Sequence, residues 1–230
     1  MSTVVEKLIS FSQKGEGRDK FLKIFQYLGK LLKSLLENEY SIRFYYLSTA
    51  AKDSRKFFRL TKSLHEVSLI FKAFKEKNPD NTQRTLYILA KVALVFRWVF
   101  DNIVILSSCK LLKLDSKEYT RRATSAWLMS LVLNIANCTR ELTKSYASEA
   151  NIKERAHGKS AYWVVTTLDN LSSMRKSMYL EVLKLAGDMI IALNGAQVPF
   201  QVLGKQFSEK WVGIGGIVSA AISCYQIWVE

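Results

Sequence analysis

The sequence predicts an all-α, membrane-embedded bundle of long helices, with basic amphipathic helices near its N-terminus and a transmembrane helix at its C-terminus. The 230 residues include only two prolines, so long uninterrupted helices form easily and a β-rich fold with many turns is disfavoured. The chain also combines 49% hydrophobic residues with a net charge of +14. Apolar and basic residues together are typical of helices that lie in or on an anionic membrane.

The third observation is the uncharged segment Trp211–Val229, the strongest candidate for a transmembrane helix. A helix of this length is about 28 Å long, close to the thickness of the hydrocarbon layer. Trp211 and Trp228 lie at its two ends, where aromatic side chains anchor helices at the membrane interface. Small residues on it form a ridge that lets another helix approach closely. We therefore expect helix packing and oligomerisation through Gly215, Gly216, Ser219, Ala220 and Ser223.

Helical periodicity also predicts the basic elements of the N-terminal part. Over Asp19–Glu37, apolar residues recur at helical spacing with most lysines on the other side, and Asp19 is placed to cap this helix. A shorter helix covers Glu39–Ala51. The pair Asp53-Ser54 then has the character of an N-cap, which predicts a third helix over Arg55–Lys77.

The helix Arg55–Lys77 is the best candidate for contact with an anionic phospholipid membrane. Its apolar stripe would insert to the acyl boundary while its cations hold anionic headgroups, which widens one leaflet and favours curvature. From the residues alone, an ordinary packed helix whose stripe faces a protein core is the favoured alternative, because an amphipathic stripe normally faces a core. The predicted membrane-binding residues are Arg55, Lys56, Phe57, Arg59, Leu60, Lys62, Leu64, Val67, Phe71 and Phe74.

The sequence Asn-Pro-Asp-Asn at residues 78–81 is the clearest break in the chain. It divides the chain into a basic region that binds a membrane surface, residues 1–81, and an apolar helical membrane region, residues 82–230. Helices are predicted in the second region over Leu86–Leu106, Ala123–Thr139 and Ser160–Asn194. A frayed helix end and a loop are expected at residues 145–159, and a second break at residues 195–200.

Four charged residues interrupt these apolar segments: Lys91, Arg97, Asp101 and Asp188. Charges inside a membrane are costly and often line water-filled paths, so a pore is one interpretation. Arg97 and Asp101 lie four residues apart and can instead pair on one helix face. A third alternative is a helix that lies in the interface without crossing the membrane.

Little in the sequence indicates catalysis. It contains no GxSxG, HExxH, P-loop or CxxC motif, and its two histidines and three cysteines are widely separated. We therefore expect no catalytic residues, no metal site and no cofactor, and do not expect an enzyme. The many basic and aromatic residues would also suit a nucleic-acid binder. A positive face beside a membrane explains the terminal apolar helix as well, so we expect no nucleic-acid partner.

Several segments resemble the peroxin-11 family. Gly17–Tyr27 (GRDKFLKIFQY) is similar to its N-terminal signature, and Ser54–Leu60 (SRKFFRL) to the start of its membrane-remodelling helix. The pair Asp101-Asn102, the segment Leu183–Asp188 and the glycine-rich closing helix that ends in Trp228 fit the same pattern.

The resemblance implies a protein of the peroxisomal (or glycosomal) membrane. Members elongate the organelle membrane, self-associate into homo-oligomers and help to recruit the fission machinery, so these are the partners we expect. Some members are linked to the passage of small metabolites, and a pore or channel is therefore the alternative function.

Overall fold

The computed structural model describes residues 3–76, 80–154 and 160–229, and all regular secondary structure in these ranges is helical. The predicted all-α fold is confirmed. The longest helix has 39 residues, so it extends about 58 Å at 1.5 Å per residue. The helices of the described ranges are α1 (Val4–Gln13), α2 (Gly15–Leu35), α3 (Asn38–Phe57), α4 (Lys62–Lys75), α5 (Asn81–Ser108), α6 (Ser116–Glu154), α7 (Ala161–Gly195), α8 (Val198–Leu203) and α9 (Glu209–Val229).

The single helix predicted over Arg55–Lys77 is wrong. Helix α3 continues through Asp53 and Ser54 to Phe57, a turn occupies residues 58–61, and α4 begins at Lys62. The Ser54 hydroxyl donates a hydrogen bond to the Ala50 carbonyl oxygen one turn earlier, as serine does inside a helix, so it does not cap a new one.

Helix α7 has nearly the predicted bounds Ser160–Asn194, whereas two other apolar segments of the second region lie inside longer helices than the sequence predicts. Leu86–Leu106 is the greater part of α5, and Ala123–Thr139 is the centre of α6. Helix α6 continues through the polar residues as far as Glu154, so the helix end expected after Ser145 comes later. Residues 155–159 of the expected loop lie outside the described residues.

Asp80 caps α5 by accepting hydrogen bonds from the backbone amides of the next turn, and Arg140 and Lys144 of α6 contact the same carboxylate.

The long helices pack as a series of neighbours. Helix α5 packs against α4 and α6, α7 packs against α6 and α9, and α2 packs against α9 and α3. Because the turn at residues 58–61 joins α3 to α4, the series closes around a common interior. The predicted division at residue 81 stays a prediction, although α2 of the first region packs along α9 of the second.

Two small apolar core clusters lie between the helices, but several charged side chains are buried as well and many large apolar side chains are exposed. Asp19, Lys23 and Arg55 are buried, whereas Leu64 is 70% exposed and Phe71 is 63% exposed. Charged side chains that face the interior of a helical bundle, with apolar side chains outside, are the arrangement expected in a membrane. Within the described ranges, α9 is the helix long and apolar enough to span one, and it contains the predicted segment Trp211–Val229.

The small-residue ridge of α9 packs within one chain. Gly215 lies so close to α7 that a Cβ added to it would lie 2.8 Å from the carbonyl oxygen of Gly187, and the ring of Tyr27 from α2 lies against Gly216. The whole predicted ridge is buried, so it is not exposed to a second copy of the chain. Helix packing through this ridge occurs within the chain, and oligomerisation through it stays a prediction. The buried ridge residues are Gly215, Gly216, Ser219, Ala220 and Ser223.

Candidate functional site

The helices enclose a charged central cavity of about 510 Å³. Its wall combines residues of six helices, α2 to α7, and carries ten lysine and arginine side chains against six carboxylates. The cations are Lys20, Lys23, Lys52, Arg55, Lys56, Arg59, Lys62, Lys91, Arg97 and Lys184, and the acids are Glu16, Asp19, Glu66, Asp101, Glu181 and Asp188.

Asp19 is the acceptor that holds two of the arginines. It lies inside α2, where it does not cap the helix as predicted, and only 2% of it is exposed. Its Oδ1 atom accepts hydrogen bonds from Nε of Arg55 at 3.1 Å and from Nε of Arg59 at 2.9 Å. Arg55 also donates to the side-chain oxygen of Gln26. These contacts direct the end of α3 and the following turn towards the cavity.

A second buried pair joins α2 to α7 and α9. Nζ of Lys23 lies 2.6 Å from Oδ1 of Asp188, and the Ser219 hydroxyl contacts both groups.

The Arg97 guanidinium lies between two indole rings. Its Cζ atom is 4.5 Å from the ring centroid of Trp98 and 3.8 Å from that of Trp127, distances at which cation–π attraction is strong. The Nε atom of Arg97 lies 4.0 Å from Oδ2 of Asp101, so the pairing suggested by their spacing occurs, although it is long.

The remaining predicted intramembrane charge, Lys91, pairs with Glu66 of α4 at 3.0 Å. With Asp188 held by Lys23, all four charges that interrupt the apolar segments have partners and also line the cavity. Pairing therefore occurs for all four residues, whereas the pore and the interfacial helix stay predictions.

Two lysines at the wall are weakly paired. Lys20 shares the Glu16 carboxylate with Lys62, at distances of 3.9 and 3.6 Å. Burial, reinforced by the positive charges of Lys23 and Lys62, lowers the pKa of Lys20 to about 8. Lys52 is exposed and has no salt bridge within the described ranges.

The predicted membrane-binding residues separate into two groups. The cations line the cavity, where Arg55, Arg59 and Lys62 pair with carboxylates of α2, and Lys56 pairs with the exposed Asp53 at 2.7 Å. Their binding to lipid headgroups stays a prediction. The inward group is Arg55, Lys56, Arg59 and Lys62; the outward group is Phe57, Leu60, Leu64, Phe71 and Phe74, with Val67 half-buried.

Sequence reasoning singled out Asp101 and Asp188 but missed the buried pairs that Asp19 and Lys23 make. Asp19 and Lys23 lie four residues apart on one face of α2, and both belong to the segment that resembles the family signature. That spacing was a signal for a shared buried face, but their partners lie 36 and 165 residues further along the chain. In the part of the chain that the structure describes, no cluster of histidine, cysteine or carboxylate side chains is arranged to hold a metal ion.

The fold and the cavity define a helical protein with one candidate membrane span, α9, among the described residues and a cavity lined by charged side chains. A model of the family described as Peroxisomal biogenesis factor 11 (PEX11) matches residues 5–228, and the chain belongs to this family.

Relatives match over nearly their whole length. The chain is 25% identical to the Peroxisomal membrane protein 11 homolog of Dictyostelium discoideum, over 97% of this chain and 94% of the relative. It is 24% identical to Peroxisomal membrane protein PMP27 of Saccharomyces cerevisiae, with the same coverage of both chains. It is 23% identical to PMP30A of Candida boidinii, over 98% of this chain and 94% of the relative. No solved structure matches significantly. The protein is thus a peroxisomal membrane protein with a role in peroxisome proliferation.

Proposed function

We propose that this protein elongates the peroxisomal membrane by inserting the outward apolar face of α3 and α4 into one leaflet, and that this promotes peroxisome fission. The observation that carries the proposal is the row of exposed apolar side chains on that face. We name this row the outer apolar face: Phe57, Leu60, Leu64, Phe71 and Phe74.

The outer apolar face has the free energy needed for insertion. Moving one exposed leucine or phenylalanine side chain out of water contributes about 1.5–3 kcal/mol, so the five together contribute roughly 10 kcal/mol. Insertion of side chains into only one leaflet expands that leaflet and favours curvature. Lys72 and Lys75 are exposed at the end of α4, and each contributes about 1 kcal/mol near an anionic surface. They take the headgroup-binding role that the sequence assigned to Arg55 and its neighbours.

The proposal includes self-association and recruitment of the fission machinery, which follow from the family resemblance. Since the ridge of α9 is buried within the chain, self-association would use a different surface. If several copies inserted their apolar faces close together, each would expand the same leaflet, and the curvature that they favour would increase. The protein acts in this proposal through shape and packing, without a catalytic step.

The experiment uses the full chain reconstituted into liposomes that contain anionic phospholipid. We expect the wild type to draw the liposomes into tubules, and the double variant Phe71→Glu/Phe74→Glu to lose tubulation. The variant Phe71→Leu/Phe74→Leu keeps an apolar face and should retain it. Ser148→Glu adds a charge at an exposed position of α6 and should also retain it. Spherical liposomes with inserted wild-type protein would refute the proposal, as would tubulation by the glutamate variant.

A pore for small metabolites is the second candidate function, and the charged cavity favours it. Full-length protein in planar bilayers should then give discrete conductance that changes with Asp101→Asn, because Asp101 lines the cavity. A silent bilayer with demonstrably inserted protein would contradict this candidate and leave membrane elongation untouched.

A further inference from the structure

We propose that the central cavity is a binding site for a phosphoryl-bearing organic anion. This site is independent of the outer apolar face, and it requires binding only, not conduction. The cavity volume of about 510 Å³ lies within the range of small-molecule sites, roughly 300–1,000 Å³.

The wall of the cavity carries more positive than negative charge. Each of the six carboxylates that line the cavity already has a cationic partner at 4.0 Å or less. The wall nevertheless carries four more cations than acids, and only Lys56 among them is neutralised by a carboxylate outside the wall. Gathering like charges in a partly buried space is unfavourable unless an anion compensates them.

The surplus cations come from two neighbouring helices and the turn that follows them. Lys20 of α2 and Lys52 of α3 line the same cavity as the two guanidinium groups that share Asp19. Two guanidinium groups against one carboxylate leave one positive charge uncompensated at this place. Arginine and lysine side chains together are the usual ligands of phosphoryl groups, arginine through paired N–H donors and lysine as a mobile point charge.

Three cations of the wall are held against indole rings. Arg97 is fixed between the rings of Trp98 and Trp127, and Arg59 and Lys62 lie over the Trp98 ring at 5.6 and 5.5 Å from its centroid. These cations are held in position before a ligand arrives, which lowers the entropic cost of binding. The apolar side chains between them, Leu94, Val104, Ile105, Leu131 and Leu185, would contact the organic part of the ligand.

The test measures binding by full-length protein in neutral detergent micelles at 0.15 M salt, where exposed charges are largely screened. Two probes distinguish a soluble anion from a lipid headgroup: pyrophosphate, and phosphatidic acid with six-carbon chains. Isothermal titration calorimetry gives the affinity of each. Binding of pyrophosphate assigns a soluble ligand, and binding of the phosphatidic acid alone assigns a headgroup; either result supports the phosphoryl site.

The variant Lys20→Gln/Lys52→Gln removes two surplus cations without opening a close ion pair. We expect it to weaken binding by about tenfold or more, equivalent to about 1.4 kcal/mol. Lys52→Gln alone removes only an exposed charge and should weaken binding by a smaller factor, which keeps the test valid if the double variant is unstable. The matched control Lys113→Gln/Lys205→Gln removes the same charge at exposed sites outside the cavity and should bind as the wild type does. No binding of either probe by the wild type, or equal weakening in the control, would overturn the proposal.

Discussion

At the scale of residues, the structure depends on charged side chains that are buried in pairs. Asp19 is the clearest case, because one carboxylate holds two arginines that would otherwise carry uncompensated charge in the interior. Removing one member of a buried pair costs more than the pair itself contributes, since the remaining charge has lost both water and partner. The signature segment of α2 therefore has a structural role that its amphipathic pattern did not predict.

Asp19→Asn should destabilise the protein by about 3–5 kcal/mol, because it leaves Arg55 and Arg59 buried without a carboxylate. Asp53→Asn is the matched control, since Asp53 is 54% exposed in its pair with Lys56 and should cost less than about 1 kcal/mol. Denaturant unfolding of both variants in mixed micelles measures the difference. Equal stability of the two variants would show that Asp19 does not hold the cavity wall together.

At the scale of elements, the sequence predicted the existence of the helices better than their ends. Long apolar periodicity with few prolines was enough to locate α5, α7 and α9. The break at residues 58–61 was missed because no glycine or proline marks it, and Arg55 and Arg59 lie at a spacing that suits a continuous helix. Their common partner, Asp19, lies on another helix, and no local pattern reveals such a pairing.

The packing of α9 against α2 and α7 gives a prediction at this scale. Gly216→Ala should destabilise the protein by about 1–3 kcal/mol, because the added Cβ meets the ring of Tyr27. Gly15→Ala is the control: Gly15 is also helical, but a Cβ there meets nothing within 4 Å, so stability should be unchanged or slightly higher. Thermal unfolding in micelles compares the two. Equal losses would contradict the close approach of α2 and α9.

At the scale of the whole molecule, the protein combines a cavity lined by charged side chains with a row of exposed apolar side chains on α3, α4 and the turn between them. The sequence indicated both kinds of residue but assigned the cations of the segment 55–62 to the membrane surface. In the structure those cations line the cavity, and the outer apolar face lies on the other side. Our proposals therefore use opposite sides of the same two helices, one for membrane elongation and the other for anion binding.

The most direct test of this arrangement is the environment of spin labels attached to single cysteines in reconstituted protein. Cys109, Cys138 and Cys224 are first replaced by alanine, and labels are placed at residue 71 on the outer apolar face, residue 52 at the cavity wall and residue 148 as an exposed reference on α6. Collision with oxygen, which concentrates in lipid, and with a water-soluble nickel complex distinguishes the two environments. We predict that oxygen dominates at residue 71 and the nickel complex at residues 52 and 148. A label at residue 71 as accessible to nickel as residue 148 would contradict insertion of the outer apolar face.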